Sequence, residues 1–155
     1  MGRYYHTDSG REGKFMFGVQ SSTDPEEMGM SEDPTYIQYY ASDSDEPKVR
    51  ERLDRQYDLL GIPNDKRMYY MKDWEEYDKY EKEVLENKVW IKCKVGSEED
   101  KKHKANKETT WAGDNNDEVM YERKGMALIL ARIRLGLVIL SDIKDEGYCS
   151  LEAET

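Results

Sequence analysis

Histidine and cysteine side chains carry much of the nucleophilic and metal-assisted chemistry of proteins, and this chain has few of them. It contains two histidines and two cysteines among 155 residues. His6, Asp8 and Ser9 supply the residue types of a nucleophilic triad, but residues adjacent in sequence rarely reach triad geometry. Neither the cysteines nor the histidines have the short paired spacing of a zinc site. The sequence therefore predicts no catalytic residue, no metal site and no cofactor.

Acidic residues and tyrosines, by contrast, are concentrated in one part of the chain. Residues 21–46 contain eight acids and no lysine or arginine, and SDSDEP at 42–47 lacks the glycine and the distal glutamate of a calcium loop. The chain has twelve tyrosines, and tyrosine offers a large contact area at small entropic cost. Acids interleaved with tyrosines favour docking to a basic partner. The predicted binding residues are Tyr36, Tyr39, Tyr40, Asp43, Asp45 and Glu46, with a helix at 73–86 as a second acidic patch.

The overall charge restricts the class of partner. With 34 acids against 24 basic residues the formal net charge is −10, and such a surface repels a phosphate backbone. Direct nucleic-acid binding would need a local basic patch, yet the lysines at 101–107 directly follow acids at 98–100. We therefore expect no direct nucleic-acid contact and a protein partner with a basic surface.

The cysteine count and the N-terminus bear on the cellular compartment. Two cysteines cannot define a disulfide framework, and Cys93 lies in an apolar run typical of a reduced core residue. The opening MGRYYH has no apolar signal-peptide core. These features predict an intracellular, reducing compartment, the cytoplasm.

The most apolar segment is KGMALILARIRLGLVILSDIKDEG, residues 124–147. Arg132 and Arg134 near its centre each cost about 2.5 to 3.5 kcal/mol on the membrane-insertion scale. The apolar runs beside them are much shorter than the roughly 20 residues that span a bilayer. We therefore expect no membrane contact, and at least one of the two arginines should find an acidic partner near the core.

The spacing of the aliphatic residues in this segment predicts a buried helix. Five of them recur at intervals of three and four and share one stripe, namely Met126, Leu130, Ile133, Leu137 and Leu140. We predict a core helix from 116 to 146 that begins at an Asn115–Glu118 capping box and stops at Gly147. The stripe at 126–140 also suits helix pairing in a homodimer.

The remaining elements predict a single α+β domain over residues 1–155, with a small antiparallel sheet packed against the long C-terminal helix. Apolar periodicity and capping signals predict strands at 13–22, 35–42 and 88–95, and helices at 46–60 and 73–86. Residues 23–34 are predicted as a loop, and residues 67–71 fit either a strand or a helix. Residues 96–115 lack periodicity and are predicted to form a long mobile loop.

The N-terminal segments MGRYY and GKFMFGVQSS, within residues 1–22, resemble the opening of small uncharacterised proteins that viruses encode. The resemblance implies a viral accessory protein that acts on a host factor, and it attaches no activity to any residue. The function predicted is a non-catalytic binding module for a basic host protein. The alternative is a small enzyme, or a protein that binds a small molecule or nucleotide derivative, with a pocket between the strand at 15–19 and the C-terminal helix.

Overall fold

The computed structural model describes residues 4–7, 14–16, 25, 28–33, 38–106, 110–112, 117–123 and 125–154. Within these ranges the strands are β1 (Tyr4–Thr7), β2 (Lys14–Met16), β3 (Ser31–Asp33), β4 (Gln38–Ser42), β5 (Trp90–Lys94), β6 (Thr110–Ala112), β7 (Glu118–Glu122) and β8 (Tyr148–Glu154). The α-helices are α1 (Glu46–Leu60), α2 (Trp74–Tyr80), α3 (Glu86–Val89), α4 (Glu98–Ala105) and α5 (Met126–Glu146). Asp43–Asp45 and Asn64–Lys66 form 3-10 turns, and Glu81–Leu85 is a π-helical segment that joins α2 to α3.

The described strands form two antiparallel sheets. Their order is β2-β1-β8-β4-β3 in the larger sheet and β5-β7-β6 in the smaller one. Strand β8 directly follows α5 and lies between β1 and β4, so it joins the N-terminal strands to the C-terminal helix. The α+β class predicted from the sequence is confirmed, with antiparallel pairing and a long C-terminal helix.

The apolar stripe of α5 lies in the hydrophobic core, as its spacing predicts. Four stripe residues are buried, namely Leu130, Ile133, Leu137 and Leu140. Helix α1 packs against α5, and its Val49, Leu53 and Tyr57 recur every four residues on one buried face. Gly136 permits this close packing, because a Cβ atom there would lie only 3.2 Å from Leu53 Cδ1.

The predicted start of the long helix at residue 116 is wrong. Residues 118–122 form β7, the central strand of the smaller sheet, and α5 begins only at Met126. Gly125 precedes the helix with a φ of +76°, a backbone conformation that separates strand from helix. Glu118 therefore pairs in a strand instead of capping a helix, and Asn115 lies outside the described residues.

Three other predicted helix boundaries are confirmed. Helix α1 ends before Gly61 and α5 ends before Gly147, and both glycines adopt the left-handed conformation typical of a helix stop. Helix α2 begins after Asp73, whose Oδ1 accepts a hydrogen bond of 2.9 Å from the Glu76 amide. These signals are local, so a single sequence is enough to reveal them.

Two segments that were predicted from the sequence to be loops contain regular structure, so these two predictions are wrong. Residues 98–105 form α4 and residues 110–112 form β6, both inside the predicted loop at 96–115. Residues 31–33, inside the predicted loop at 23–34, pair with β4 as strand β3. Strands of three residues are too short to show the apolar alternation by which a strand is recognised in a sequence.

Helix α4 is stabilised by polar contacts at its N-terminus. Ser97 Oγ accepts a hydrogen bond of 3.2 Å from the Asp100 amide. The buried Asp100 carboxylate accepts hydrogen bonds from the Gly96 amide, at 2.7 Å, and from the Tyr121 hydroxyl. Acids in the first turn and bases in the last turn complement the helix dipole. Apolar periodicity alone therefore does not reveal this helix.

Several predicted features lie partly outside the described residues. The predicted strand at 13–22 contains β2, and residues 17–22 lie outside the described part of the chain. The predicted strand at 35–42 contains β4, and residues 35–37 lie outside the described part. Residues 67–71 form neither strand nor helix. None of the helices in the described ranges combines the length and the apolar character needed to cross a membrane.

Candidate functional site

The predicted binding tyrosines of β4 face opposite sides of the sheet. Tyr40 is 46% exposed, whereas Tyr39 is 1% exposed and belongs to the hydrophobic core. Successive side chains of a strand alternate between its faces, so only one of the two can contact a partner. The Tyr39 ring is therefore not on the exposed face that a partner could contact. Tyr36 lies outside the described residues.

A second exposed tyrosine lies beside Tyr40. In the β4–β8 register Tyr40 pairs with Ser150 and Ser42 pairs with Tyr148, which makes the two tyrosines diagonal neighbours on one face. Tyr148 is 48% exposed. Tyr148 was not predicted from the sequence, because residues 148–154 show no recognisable strand pattern and its neighbour Tyr40 is more than a hundred residues away.

The acids that follow β4 lie at the end of this tyrosine-bearing face. Asp43 and Asp45 belong to a 3-10 turn, and Glu46 is the first residue of α1. Asp45 Oδ2 accepts a hydrogen bond of 2.9 Å from the Ser42 amide. None of the three carboxylates forms an ion pair with any residue that the structure describes. We refer to Tyr40, Asp43, Asp45, Glu46 and Tyr148 as the acidic surface.

The acidic surface is tied to the segment that follows α1. The Tyr70 hydroxyl donates a hydrogen bond of 2.7 Å to Glu46 Oε1, and the Tyr69 hydroxyl donates one of 2.6 Å to Asp54 Oδ1. The Arg50 guanidinium lies between these two acids on α1, with its Cζ 4.1 Å from the centre of the Tyr69 ring. The hydrogen bond to Glu46, together with burial, raises the pKa of the Tyr70 phenol. Both tyrosines are thereby held in place against α1.

Arg67 fixes the start of the same segment. Its guanidinium pairs with Asp54 at 3.1 Å and with Asp58 at 2.6 Å, and its Nε donates to the Ile62 carbonyl at 2.9 Å. The Arg67 side chain is nearly buried, so these contacts anchor the segment firmly. Tyr69 and Tyr70 therefore present their rings from a well-supported backbone.

A cleft of about 390 Å³ opens between this segment and the last turns of α5. One wall contains Tyr70, Met71 and Lys72, and the other contains Ser141, Lys144 and Asp145, while Glu76 of α2 lies at its edge. The walls are joined, because the Met71 amide donates a hydrogen bond of 2.9 Å to Ser141 Oγ. We call this cavity the α5 cleft.

A second, more open groove of about 460 Å³ lies on the other side of Tyr70. Its lining is richer in aromatic and aliphatic side chains and includes Arg67, Met68, Tyr69, Tyr80 and Val84. Tyr70 contributes to both cavities and also binds Glu46. The acidic surface, the α5 cleft and the groove are thus neighbouring parts of one side of the molecule.

The expectation of an acidic partner for an arginine of α5 is confirmed for Arg134. Its Nη2 and Nε lie 2.6 and 2.9 Å from Glu81 Oε1, and the Tyr77 hydroxyl donates to the same oxygen at 2.7 Å. Glu81 begins the π-helical segment, and Tyr77 is buried. Burial raises the pKa of the Tyr77 phenol well above its usual range. This cluster lines neither of the two cavities, and we assign it a structural role.

A metal site needs several histidine, cysteine or acidic side chains that converge on one point. No three histidine, cysteine or acidic side chains converge to form such a group within the described ranges. Cys93 and Cys149 are both buried, and they do not form a disulfide with each other. The alternative pocket beside the strand at 15–19 stays a prediction, because residues 17–19 lie outside the described part of the chain.

Comparison with known proteins gives no match to a protein-family model, to a curated protein or to a solved structure. The resemblance of residues 1–22 to virus-encoded proteins therefore stays a prediction. The function must be inferred from the chemistry of the acidic surface and of the cavities beside it.

Proposed function

We propose that this protein is a non-catalytic binding module that docks a partner protein with a basic surface. The observation that carries the proposal is the acidic surface itself. It combines three carboxylates without an ion-pair partner among the described residues with two tyrosines that are each about half exposed. Such a surface has both charge and contact area available for a partner.

The carboxylates of Asp43, Asp45 and Glu46 supply the electrostatic part of this interaction. Charges of one sign on a surface steer a partner of the opposite sign and raise the association rate, and the effect falls with salt. The net charge of −10 extends the negative field beyond the acidic surface. A basic partner is therefore attracted before any direct contact forms.

The tyrosines supply the short-range part. Tyr40 and Tyr148 are diagonal neighbours on an exposed sheet face, and a tyrosine ring buries apolar area while its hydroxyl still finds a polar partner. Aromatic residues of this kind are frequent among the side chains that dominate binding energy. Their position beside the acids allows one basic, partly apolar patch to contact both.

The arrangement favours docking over catalysis. Catalytic groups converge in a cleft, where burial and close neighbours adjust their pKa values. Asp43 and Tyr40 instead lie on an open face, and Asp45 and Glu46 use one oxygen each to support the local backbone and Tyr70. The acids are therefore spread along a surface in the manner of an interface.

The proposal is tested by capturing partners from an extract of cells that express the protein, at low and at high salt. We expect a basic partner to be retained at low salt and released as screening rises. Asp43→Lys should abolish capture, because it reverses the exposed charge beside Tyr40. Glu98→Lys changes the net charge equally at an exposed position on α4 and serves as the matched control. Equal capture by both variants would disprove docking through the acidic surface.

A further inference from the structure

We propose that the α5 cleft binds a small zwitterionic molecule of the amino-acid type. This would be a function separate from protein docking, since the residues concerned lie in the cleft and not on the open face. The inference depends on the charges in the cleft, on the support of its walls and on its size.

The charges of the α5 cleft are of both signs and balance each other. Lys72 and Lys144 contribute two positive charges, and Glu76 and Asp145 contribute two negative charges, in a chain whose net charge is −10. A purely anionic ligand would meet two carboxylates, and a purely cationic ligand would meet two ammonium groups. A molecule that carries one carboxylate and one ammonium group can pair both of its charges at once.

Contacts that need no ligand hold the walls in place. The Met71 amide binds Ser141 Oγ on α5, and the Tyr70 hydroxyl binds Glu46 on α1. Lys144 Nζ lies 4.8 Å from the centre of the Tyr70 ring, a cation–π distance that orients its ammonium group. A cleft formed in advance loses less entropy when a ligand binds.

The size and the remaining chemistry of the cleft narrow the ligand class. A volume of about 390 Å³ is at the lower end of ligand-binding cavities, so the cleft suits a small molecule. The ligand carboxylate would pair with the lysine ammonium groups. Its ammonium group would pair with the acids beside the C-terminal end of α5, where the helix dipole favours positive charge. The Tyr70 ring offers apolar area for an aliphatic or aromatic side chain of the ligand.

Titration of the full chain with free L-leucine, L-methionine and L-phenylalanine tests this inference, with binding followed by calorimetry and by amide chemical shifts. We expect at least one of them to bind and to shift amides at residues 70–72 and 141–145. Its N-acetyl derivative lacks the positive charge, and its amide derivative lacks the negative charge. Each should bind about tenfold more weakly or worse, as loss of a charge-assisted contact implies. Absence of binding by all three up to about 10 mM would overturn the inference, and so would equal binding of the derivatives.

Two variants with matched controls locate the site. Lys72→Met and Glu76→Gln should each weaken binding about tenfold, because each removes one charge from an exposed side chain of the cleft. Lys79→Met and Glu75→Gln make the same chemical changes at exposed positions that do not line the cleft, and they should bind as the parent does. Equal weakening by variants and controls would refute a specific site. Asp43→Lys should leave amino-acid binding unchanged, so failure of the docking proposal and failure of this one are distinguishable.

Discussion

Tyr39 and Tyr40 are neighbours in the chain with opposite roles, because β4 presents one to the core and the other to the surface. We expect Tyr39→Ala to lower the free energy of unfolding by about 3 kcal/mol or more, as loss of a buried aromatic ring does. Tyr40→Ala should change it by no more than about 0.5 kcal/mol, yet weaken partner capture. Urea denaturation of both variants gives the two values, and a large loss of stability in Tyr40→Ala would show that its ring belongs to the core.

Glu81 and Arg134 form a pair at the edge of the core, and each depends on the other. Glu81→Leu leaves the Arg134 guanidinium without its carboxylate, and we expect it to cost about 2 to 4 kcal/mol of stability. Adding Arg134→Met should recover part of that loss, because the double variant contains no unpaired charge. If the double variant lost more stability than the two single variants lost together, that result would argue against this pairing.

At the scale of elements, helix α4 and strand β7 are linked through one acid. The hydrogen bond from Tyr121, and the one from the Gly96 amide, lower the pKa of the Asp100 carboxyl. A lowered folded-state pKa means that Asp100 contributes its full stability above its unfolded pKa of about 3.9. That contribution is lost as the pH falls through the folded-state pKa.

Replacing Asp100 should therefore change how strongly the stability of the protein depends on acid pH. We expect Asp100→Asn to lower stability at pH 7 and to reduce the additional loss of stability between about pH 4 and pH 2. Denaturant unfolding at several pH values measures both effects, and Glu98→Gln is the matched control in the same helix turn. An unchanged pH dependence in Asp100→Asn would show that the contacts of Asp100 do not stabilise its charged form.

The elements predicted correctly from the sequence are those with local signals. Helix α5 shows its stripe and its terminal glycine, and α2 shows the Asp73 cap. Strand β7 and helix α4 were missed, because one depends on pairing with β5 and β6 and the other on a buried carboxylate. The capping-box spacing of Asn115 and Glu118 also predicted an earlier helix start, whereas Gly125 lies at the true boundary.

The same distinction applies to the candidate site. Asp43, Asp45, Glu46 and Tyr40 follow one another in sequence, so their composition alone indicated a surface. Tyr148 and the α5 cleft depend on the β4–β8 register and on packing of residues 70–72 against α5. Contacts between segments far apart in sequence leave no periodic trace in a single chain.

At the scale of the whole molecule, the acidic surface and the α5 cleft lie at the same end, where β4, β8, α1 and α5 meet. Tyr70 connects the two, since it lines the cleft and binds Glu46. The smaller sheet contains β5 and β7, which supply none of these residues. Both candidate sites therefore lie on one side of the protein, and the smaller sheet provides a reference surface for tests.

The measurement that tests the central claim most directly is a map of amide chemical-shift changes when the captured partner is added to the labelled protein. The account predicts that the largest changes occur at residues 40–46 and 148–150, and that they diminish as salt screens the charges. Changes concentrated on β5 and β7, or changes at the acidic surface that do not respond to salt, would contradict it.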